Sequence, residues 1–260
     1  MPRRRSIGTD KVPMDLRRGI RHHLIDIADP TDEYTAAQFA RDAAAAVADI
    51  HARGKLPILV GGTGFYYRAL TRGLFPGPGK DAGLRARLEH VAARKGVERL
   101  HRMLSRVDPD SGSRIQRRDL KRIVRALEVY FSTGKPLTAH FEETVSLLPP
   151  DVQIGAIALR MPAPWLAERL AARVDEQFAA GLIDEMRRLL ASGVPPTARP
   201  FGGLVYRQAM DYLKGIRDEA ATRALIAQEN RKYARRQLIW FRKEPNLVWF
   251  DGPGTNAEVQ

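Results

Sequence analysis

Cysteine is absent from this 260-residue chain, which removes disulfides, thiol nucleophiles and every cysteine-ligated zinc or iron–sulfur site together. Histidine is scarce: there are six, and only His22 and His23 are neighbours, so no histidine-rich metal centre is expected. No stretch approaches the run of about 18 apolar residues that spans a bilayer. The opening Met1-Pro-Arg-Arg-Arg-Ser6 is charged and has no apolar run behind it, unlike a secretory leader. The expectation is a cytoplasmic protein with no membrane partner.

Charge is what the chain has in quantity. Hydrophobic residues make up 44% and charged residues 28%, the balance of a globular protein rather than a disordered one. Lys and Arg number 43 against 30 acidic residues, for a formal charge of +13, and 34 of the 43 are Arg. A balance this basic makes nucleic acid the leading partner. Its distribution along the chain decides more than its sum.

Local patterns predict the elements. Ile20–Ile27 reads as a short strand or loop edge ended by Asp29-Pro30. Thr35 and Gln38 form a capping box, with apolar Phe39, Ala43, Ala46, Val47 and Ile50 at helical spacing before Gly54. Pro57–Val60 reads as a buried strand that runs into Gly61-Gly62-Thr63-Gly64 and then a helix to Leu74. After Pro76-Gly77-Pro78-Gly79 the pattern is helical until Leu148-Pro149-Pro150. Val152–Leu159 is a second strand, helical patterns run from Pro164 to Leu190, from Tyr206 to Leu213 and from Asp218 to Lys243, and Leu247–Phe250 is an edge strand. The expected architecture is an α/β parallel-sheet core over residues 1–77 and 150–260, with a helical insertion over 78–149.

Two helices carry the basic residues. In the first, Arg118, Lys121, Arg122 and Arg125 share one face opposite Leu120, Ile123, Val124, Leu127 and Phe131. A solvated helix face is the ordinary reading, but only Asp119 and Glu128 offer nearby counter-charge, so phosphate contact is favoured. In the second, Arg231, Lys232, Arg235 and Arg236 form a stripe continued by Arg242-Lys243, with Tyr233, Trp240 and Phe241 interleaved. Such aromatics can stack unpaired bases. They serve equally well as core, and Trp240 and Phe241 are assigned there.

The Gly61–Gly64 turn could offer backbone N–H groups to an anion at a helix N-terminus, although such turns are often only packing corners. A phosphate loop needs Gly-Lys followed by Ser or Thr. The Gly-Lys pairs at 54–55, 79–80 and 134–135 are followed by Leu, Asp and Pro. Arg207, just after Gly202-Gly203 in Tyr206-Arg207-Gln208, could clamp a diphosphate or form a surface salt bridge.

Together these motifs resemble the tRNA dimethylallyltransferase (isopentenyltransferase) family. The matching pieces, in the family's order, are Ile7-Gly8-Thr9, Gly19–Ile27 with Asp29-Pro30, Pro57–Tyr66, Arg122–Val129 with Thr133–Pro136, Tyr206-Arg207-Gln208 and Tyr233–Arg242. The resemblance implies a P-loop NTPase-like parallel-sheet core with an α-helical insertion. It implies transfer of a dimethylallyl group from dimethylallyl diphosphate to N6 of the adenosine beside the anticodon (tRNA position 37), with Mg2+ neutralising the departing diphosphate. It places tRNA contacts at Thr63, Arg85, Lys121, Arg122, Arg125, Arg231, Lys232, Arg235, Arg236 and Arg242, and diphosphate binding at Arg207. The partners expected are tRNA, through its anticodon stem-loop, and dimethylallyl diphosphate, with the protein a monomer.

The sequence departs from the family's pattern in places. Family members carry a first strand, a Gly-Lys-Thr phosphate loop and an Ala-Asp-Ser segment whose Asp is the expected general base. Ile7-Gly8-Thr9 lies too near Met1 to fit them. The expectation is therefore an N-terminally truncated enzyme whose catalytic Asp lies upstream of Met1 and whose transfer activity is impaired. The alternative is a tRNA-binding form without catalysis, and a nucleotide kinase is disfavoured by the absent phosphate-loop Lys. Asp10 also stands where a small residue is usual, and Gln116-Arg117-Arg118 replaces a His-Pro-Asn run.

Overall fold

The computed structural model describes residues 7–254. The basic start, Met1–Ser6, lies outside the described residues. Two compact units divide the chain: Arg68–Pro150 forms one, and the segments before and after it form the other.

In the unit formed by the two flanking segments, α1 (Ala36–Ala52) opens on the capping box read from sequence. The Thr35 hydroxyl accepts from the Gln38 N–H at 3.2 Å, and the Gln38 side chain accepts from the Thr35 N–H at 2.7 Å. A short α2 (Gly64–Thr71) follows the glycine-rich turn. Beyond residue 150 come β1 (Ala156–Arg160), α8 (Ala163–Ala179), α9 (Leu182–Ala191), α10 (Leu204–Leu213), α11 (Glu219–Phe241) and β2 (Leu247–Asp251). The pattern over 164–190 thus divides into two helices. Gly181, at φ 90°, turns the chain between them through left-handed backbone, which a side chain would strain.

The sheet among the described residues has two strands, β1 and β2. They pair in parallel with Ala156 opposite Leu247 and Arg160 opposite Asp251. The Arg160 guanidinium closes that end by donating to both Asp251 carboxylate oxygens, at 2.6 and 2.8 Å. The intervening helices form the crossover that parallel strands require. They also hold the core, in which Val174, Leu182, Met186, Ala209 and Ile226 are buried.

One expected strand is absent, and Ile20–Ile27, read as a strand or loop edge, is loop. Pro57–Val60 forms no ladder, and Leu56, Ile58 and Val60 are each at least three-quarters exposed. An apolar run becomes a strand only where neighbours satisfy its N–H and C=O groups, and no described strand flanks this one. Ile20–Ile27 is bent because Leu24 (φ 59°) and Asp26 (φ 58°) adopt left-handed backbone, with Lys11 Nζ 2.9 Å from Asp26 Oδ1.

The Arg68–Pro150 unit is helical: α3 (Ala82–Lys95), α4 (Val97–Val107), α5 (Pro109–Arg114), α6 (Leu120–Thr133) and α7 (Leu137–Glu142). Leu88, Leu100, Leu104, Ile123 and Leu127 form its core. Buried Asp108 joins two ends of the bundle. It accepts from the Ser111 N–H and hydroxyl in α5, and from the Thr138 N–H and hydroxyl in α7.

Candidate nucleic-acid interface

The apolar stripe read in α6 is buried as expected, through Ile123, Val124, Ala126, Leu127 and Val129. Its basic face divides in two. Lys121 and Arg122 are exposed. Arg122 lies 3.4 Å from Asp119, which also caps the helix by accepting the Arg122 N–H, and Lys121 has no ion-pair partner among the described residues.

Arg125 instead turns back onto Glu128, whose side chain is fully buried. Arg125 Nη1 donates to Glu128 Oε2 at 2.7 Å, and both terminal nitrogens donate to the Pro78 carbonyl at 3.2 Å. Arg85, from α3, grips the same carboxylate with Nε and Nη2 at 2.7 and 2.8 Å. The Asp81 N–H adds a fourth donor at 2.9 Å. Burial alone would raise the Glu128 carboxyl, but these donors overcome it and hold the pKa down to about 2. Two residues assigned to RNA by resemblance are thus fixed by one internal carboxylate. The i,i+3 spacing of Arg125 and Glu128 was readable from sequence, whereas Arg85 lies 43 residues away and was not.

On α11, Asp218 caps the start by accepting the Ala221 N–H at 2.7 Å. Arg231, Arg235 and Arg242 stand at i, i+4 and i+11 on one side of the helix, exposed and without an ion-pair partner among the described residues. A second group gathers round Glu229. Lys232 Nζ is 2.8 Å from its carboxylate, and hydrogen bonding to Lys232, followed by the charges of Lys232, Arg207 and Arg236, lowers its pKa. Arg207 thus lies within electrostatic reach of Glu229. Arg236 also lies 5.7 Å from the centre of the Tyr233 ring.

Arg207 sits in the first turn of α10, exposed, between two residues whose polar ends are engaged. The Tyr206 hydroxyl donates to buried Glu185 at 2.7 Å, and Gln208 accepts from Arg217 at 3.1 Å. Glu185 also accepts from the Ile7 N–H at 3.0 Å, which docks the Ile7–Asp10 turn onto α9. Asp10 completes that docking: Gln177 donates to it at 2.8 Å, and Arg173 Nε is 3.2 Å away. The acidic departure at this position thus has local partners on α8. Sequence reasoning missed Glu185 and Gln177, because their partners lie far away in the chain and leave no local spacing signal.

The glycine-rich turn lies against α11. Gln237 donates to the Gly62 carbonyl at 2.8 Å. A Cβ at Gly62 would strike the Gln237 carboxamide, and one at Gly64 would strike the Trp240 ring. Trp240 and Phe241 are half-buried, and Phe241 meets Tyr67 edge-on at 6.3 Å. Thr63 is exposed at the apex, and its carbonyl accepts the Tyr66 N–H at 2.9 Å. The close approach of α11 explains both glycines.

No described group of three or more His, Asp or Glu side chains is placed to hold a metal. No described helix is long and apolar enough to cross a membrane.

Known proteins match this chain over nearly its whole length. The tRNA dimethylallyltransferase of Geobacter metallireducens is 42% identical over 95% of this chain and 80% of its own length. That of Thermomicrobium roseum is 44% identical over 94% and 74%. Among solved structures, the tRNA isopentenylpyrophosphate transferase of Bacillus halodurans superimposes with a TM-score of 0.67 at 33% identity, covering 98% of this chain and 80% of that one. A eukaryotic dimethylallyltransferase acting on tRNA shares the fold with a TM-score of 0.74 at 24% identity, over 97% of this chain and 66% of its own. The family model described as IPP transferase matches residues 3–244, and the chain belongs to that family.

Proposed function

We propose that this chain is a tRNA dimethylallyltransferase, which joins the dimethylallyl group of dimethylallyl diphosphate to N6 of the adenosine beside the anticodon. The observation that carries the reading is the set of exposed, uncompensated cations along α11, Arg231, Arg235 and Arg242. Guanidinium groups without internal counter-charge are free to displace counterions from an RNA backbone.

In this reading α11 grips the RNA strand, and Lys121 and Arg122 on the helical 78–149 region add backbone contacts. Arg207 holds the diphosphate. Transfer breaks the bond between the prenyl carbon and the diphosphate oxygen, and the adenine nitrogen forms the new bond as it gives up a proton. Negative charge grows on the departing diphosphate, and a fixed guanidinium stabilises that charge more in the transition state than in the bound donor. The two parallel strands and their helical crossover are compatible with a P-loop-like core. The Mg2+ expected from the resemblance would neutralise charge on the diphosphate when bound, held mainly by the phosphates, since no described group of three or more His, Asp or Glu side chains is placed to hold it.

Prenyl transfer from labelled dimethylallyl diphosphate to tRNA tests this. Arg207→Ala is expected to slow transfer by about 100-fold or more while leaving RNA affinity within about threefold. Unchanged transfer in that variant would remove Arg207 from the reading. RNA binding without any transfer by the unaltered chain would favour the second reading, a non-catalytic tRNA-binding form. The observation behind that reading is that none of the three Gly-Lys pairs is followed by Ser or Thr.

A further inference from the structure

Two motifs far apart in sequence meet where the Gly61–Gly64 turn lies against α11. Successive glycines in a turn usually serve backbone conformation, yet neither Gly62 nor Gly64 adopts positive φ. What each requires is the absence of a side chain, because Gln237 and Trp240 occupy the space a Cβ would need. Gln237 and Trp240 are three residues apart and share one side of α11. Arg231, Arg235 and Arg242 lie on the other. One helix therefore presents cations outward and, from its opposite side, fixes the backbone of a turn.

The fixing is directional. The Gln237 carboxamide nitrogen donates to the Gly62 carbonyl at 2.8 Å. That carbonyl belongs to the peptide unit joining Gly62 to Thr63, so the bond sets the orientation of the plane from which Thr63 departs. Thr63 is exposed, and its hydroxyl has no hydrogen-bond partner among the described residues. A glycine-flanked residue without such a restraint would sample many orientations, and ordering it on binding would cost conformational entropy.

We propose that Gln237 is a positioning residue for RNA: its hydrogen bond to Gly62 pre-orders Thr63 as a hydroxyl contact on the side of α11 away from Arg231, Arg235 and Arg242. This deepens the tRNA-binding reading above and rests on it. Gln237 itself need not touch the nucleic acid. Its carboxamide is engaged with the turn, and a carboxylate of the same shape could not make the bond, because an ionised Glu accepts and does not donate.

The experiment is a double-mutant cycle on the affinity for an anticodon stem-loop RNA, read by fluorescence anisotropy at several salt concentrations. Thr63→Val and Gln237→Met, an uncharged substitution of similar volume, are each expected to weaken binding by about three- to tenfold, the range of one hydrogen bond. Together they should weaken it no more than either alone, since Thr63 contributes only when the turn is ordered. The salt slope should not change, because no charge is removed. Gly62→Ala displaces the Gln237 carboxamide by a second route and should reproduce the Gln237→Met effect.

Losses that multiply in the Thr63→Val/Gln237→Met double variant would overturn the proposal. So would full affinity in both Gln237→Met and Gly62→Ala. Should one of those two variants fold poorly by circular dichroism, the other still decides. A separate arm tests the underlying reading: Arg231→Ser/Arg235→Ser should lower both affinity and salt slope. If it does not, the RNA-binding reading fails, whatever the cycle shows.

Discussion

Helices α6 and α11 look alike in sequence, each with a run of Arg and Lys at helical spacing, and the structure uses them differently. In α6, the buried Glu128 draws Arg125 inward and shares it with Arg85, so three charged groups become one internal knot. In α11, Lys232 pairs with Glu229 and Arg236 stands near it, while Arg231, Arg235 and Arg242 keep no counter-charge among the described residues. The difference lies in a single acidic residue and in the depth at which it sits. A carboxylate that is fully buried must be paired, and it takes its partners from any basic face within reach. Glu229, half-buried at the surface of α11, neutralises one neighbour and leaves the rest.

Breaking the α6 knot should have the largest effect on stability. Glu128→Ala leaves Arg85 and Arg125 without their shared partner, and about 3 kcal/mol of unfolding free energy is expected to be lost, measured by urea denaturation. The same knot predicts acid sensitivity. The Glu128 pKa is lowered from 4.5 to about 2 in the folded chain. A depressed carboxyl contributes stability in full above its unfolded pKa, and that contribution disappears as pH falls through the folded value. Stability attributable to Glu128 should therefore fall between about pH 4.5 and pH 2, and a Glu128→Gln variant should lack that part of the acid transition.

Effects on RNA should rank in the opposite order. Arg231→Ser/Arg235→Ser is expected to weaken binding of an anticodon stem-loop by about tenfold or more near physiological salt, with little change in stability, because exposed unpaired cations add little to folding. Lys121→Ser should weaken binding by only a fewfold, as one contact among several. The smallest effect compares the two N-caps. Asp119→Ala and Asp218→Ala should each cost about 1 kcal/mol. Asp119→Ala should also release Arg122, a change readable as a slight gain in RNA affinity that Asp218→Ala does not share.

Helices were the legible part of this fold. The capping box at Thr35 and Gln38 and the apolar stripe of α6 are local chemistry, readable within a few residues. The sheet was legible only where pairing partners exist. Val152–Leu159 and Leu247–Phe250 both contain strand, whereas the equally apolar Pro57–Val60 forms no ladder, because strand formation depends on neighbours that a local pattern cannot specify. At the candidate site, the motifs named the basic residues but not their commitments. Arg85 and Arg125 converge on Glu128, Asp10 on Arg173, and Gln237 on Gly62, all through contacts formed by folding except the i,i+3 step from Arg125 to Glu128.

The central claim is that the free cations of α11 supply most of the salt-dependent grip on RNA, while the α6 knot supplies structure. Its most direct test is the salt slope of stem-loop binding in two variants. One is Arg231→Ser/Arg235→Ser. The other is Arg85→Gln/Arg125→Gln/Glu128→Gln, which removes the knot without orphaning a buried charge. The account predicts a slope reduced by about 2 in the first and by at most about 1 in the second, whose net charge falls by only one. An equal or larger reduction in the second would contradict it.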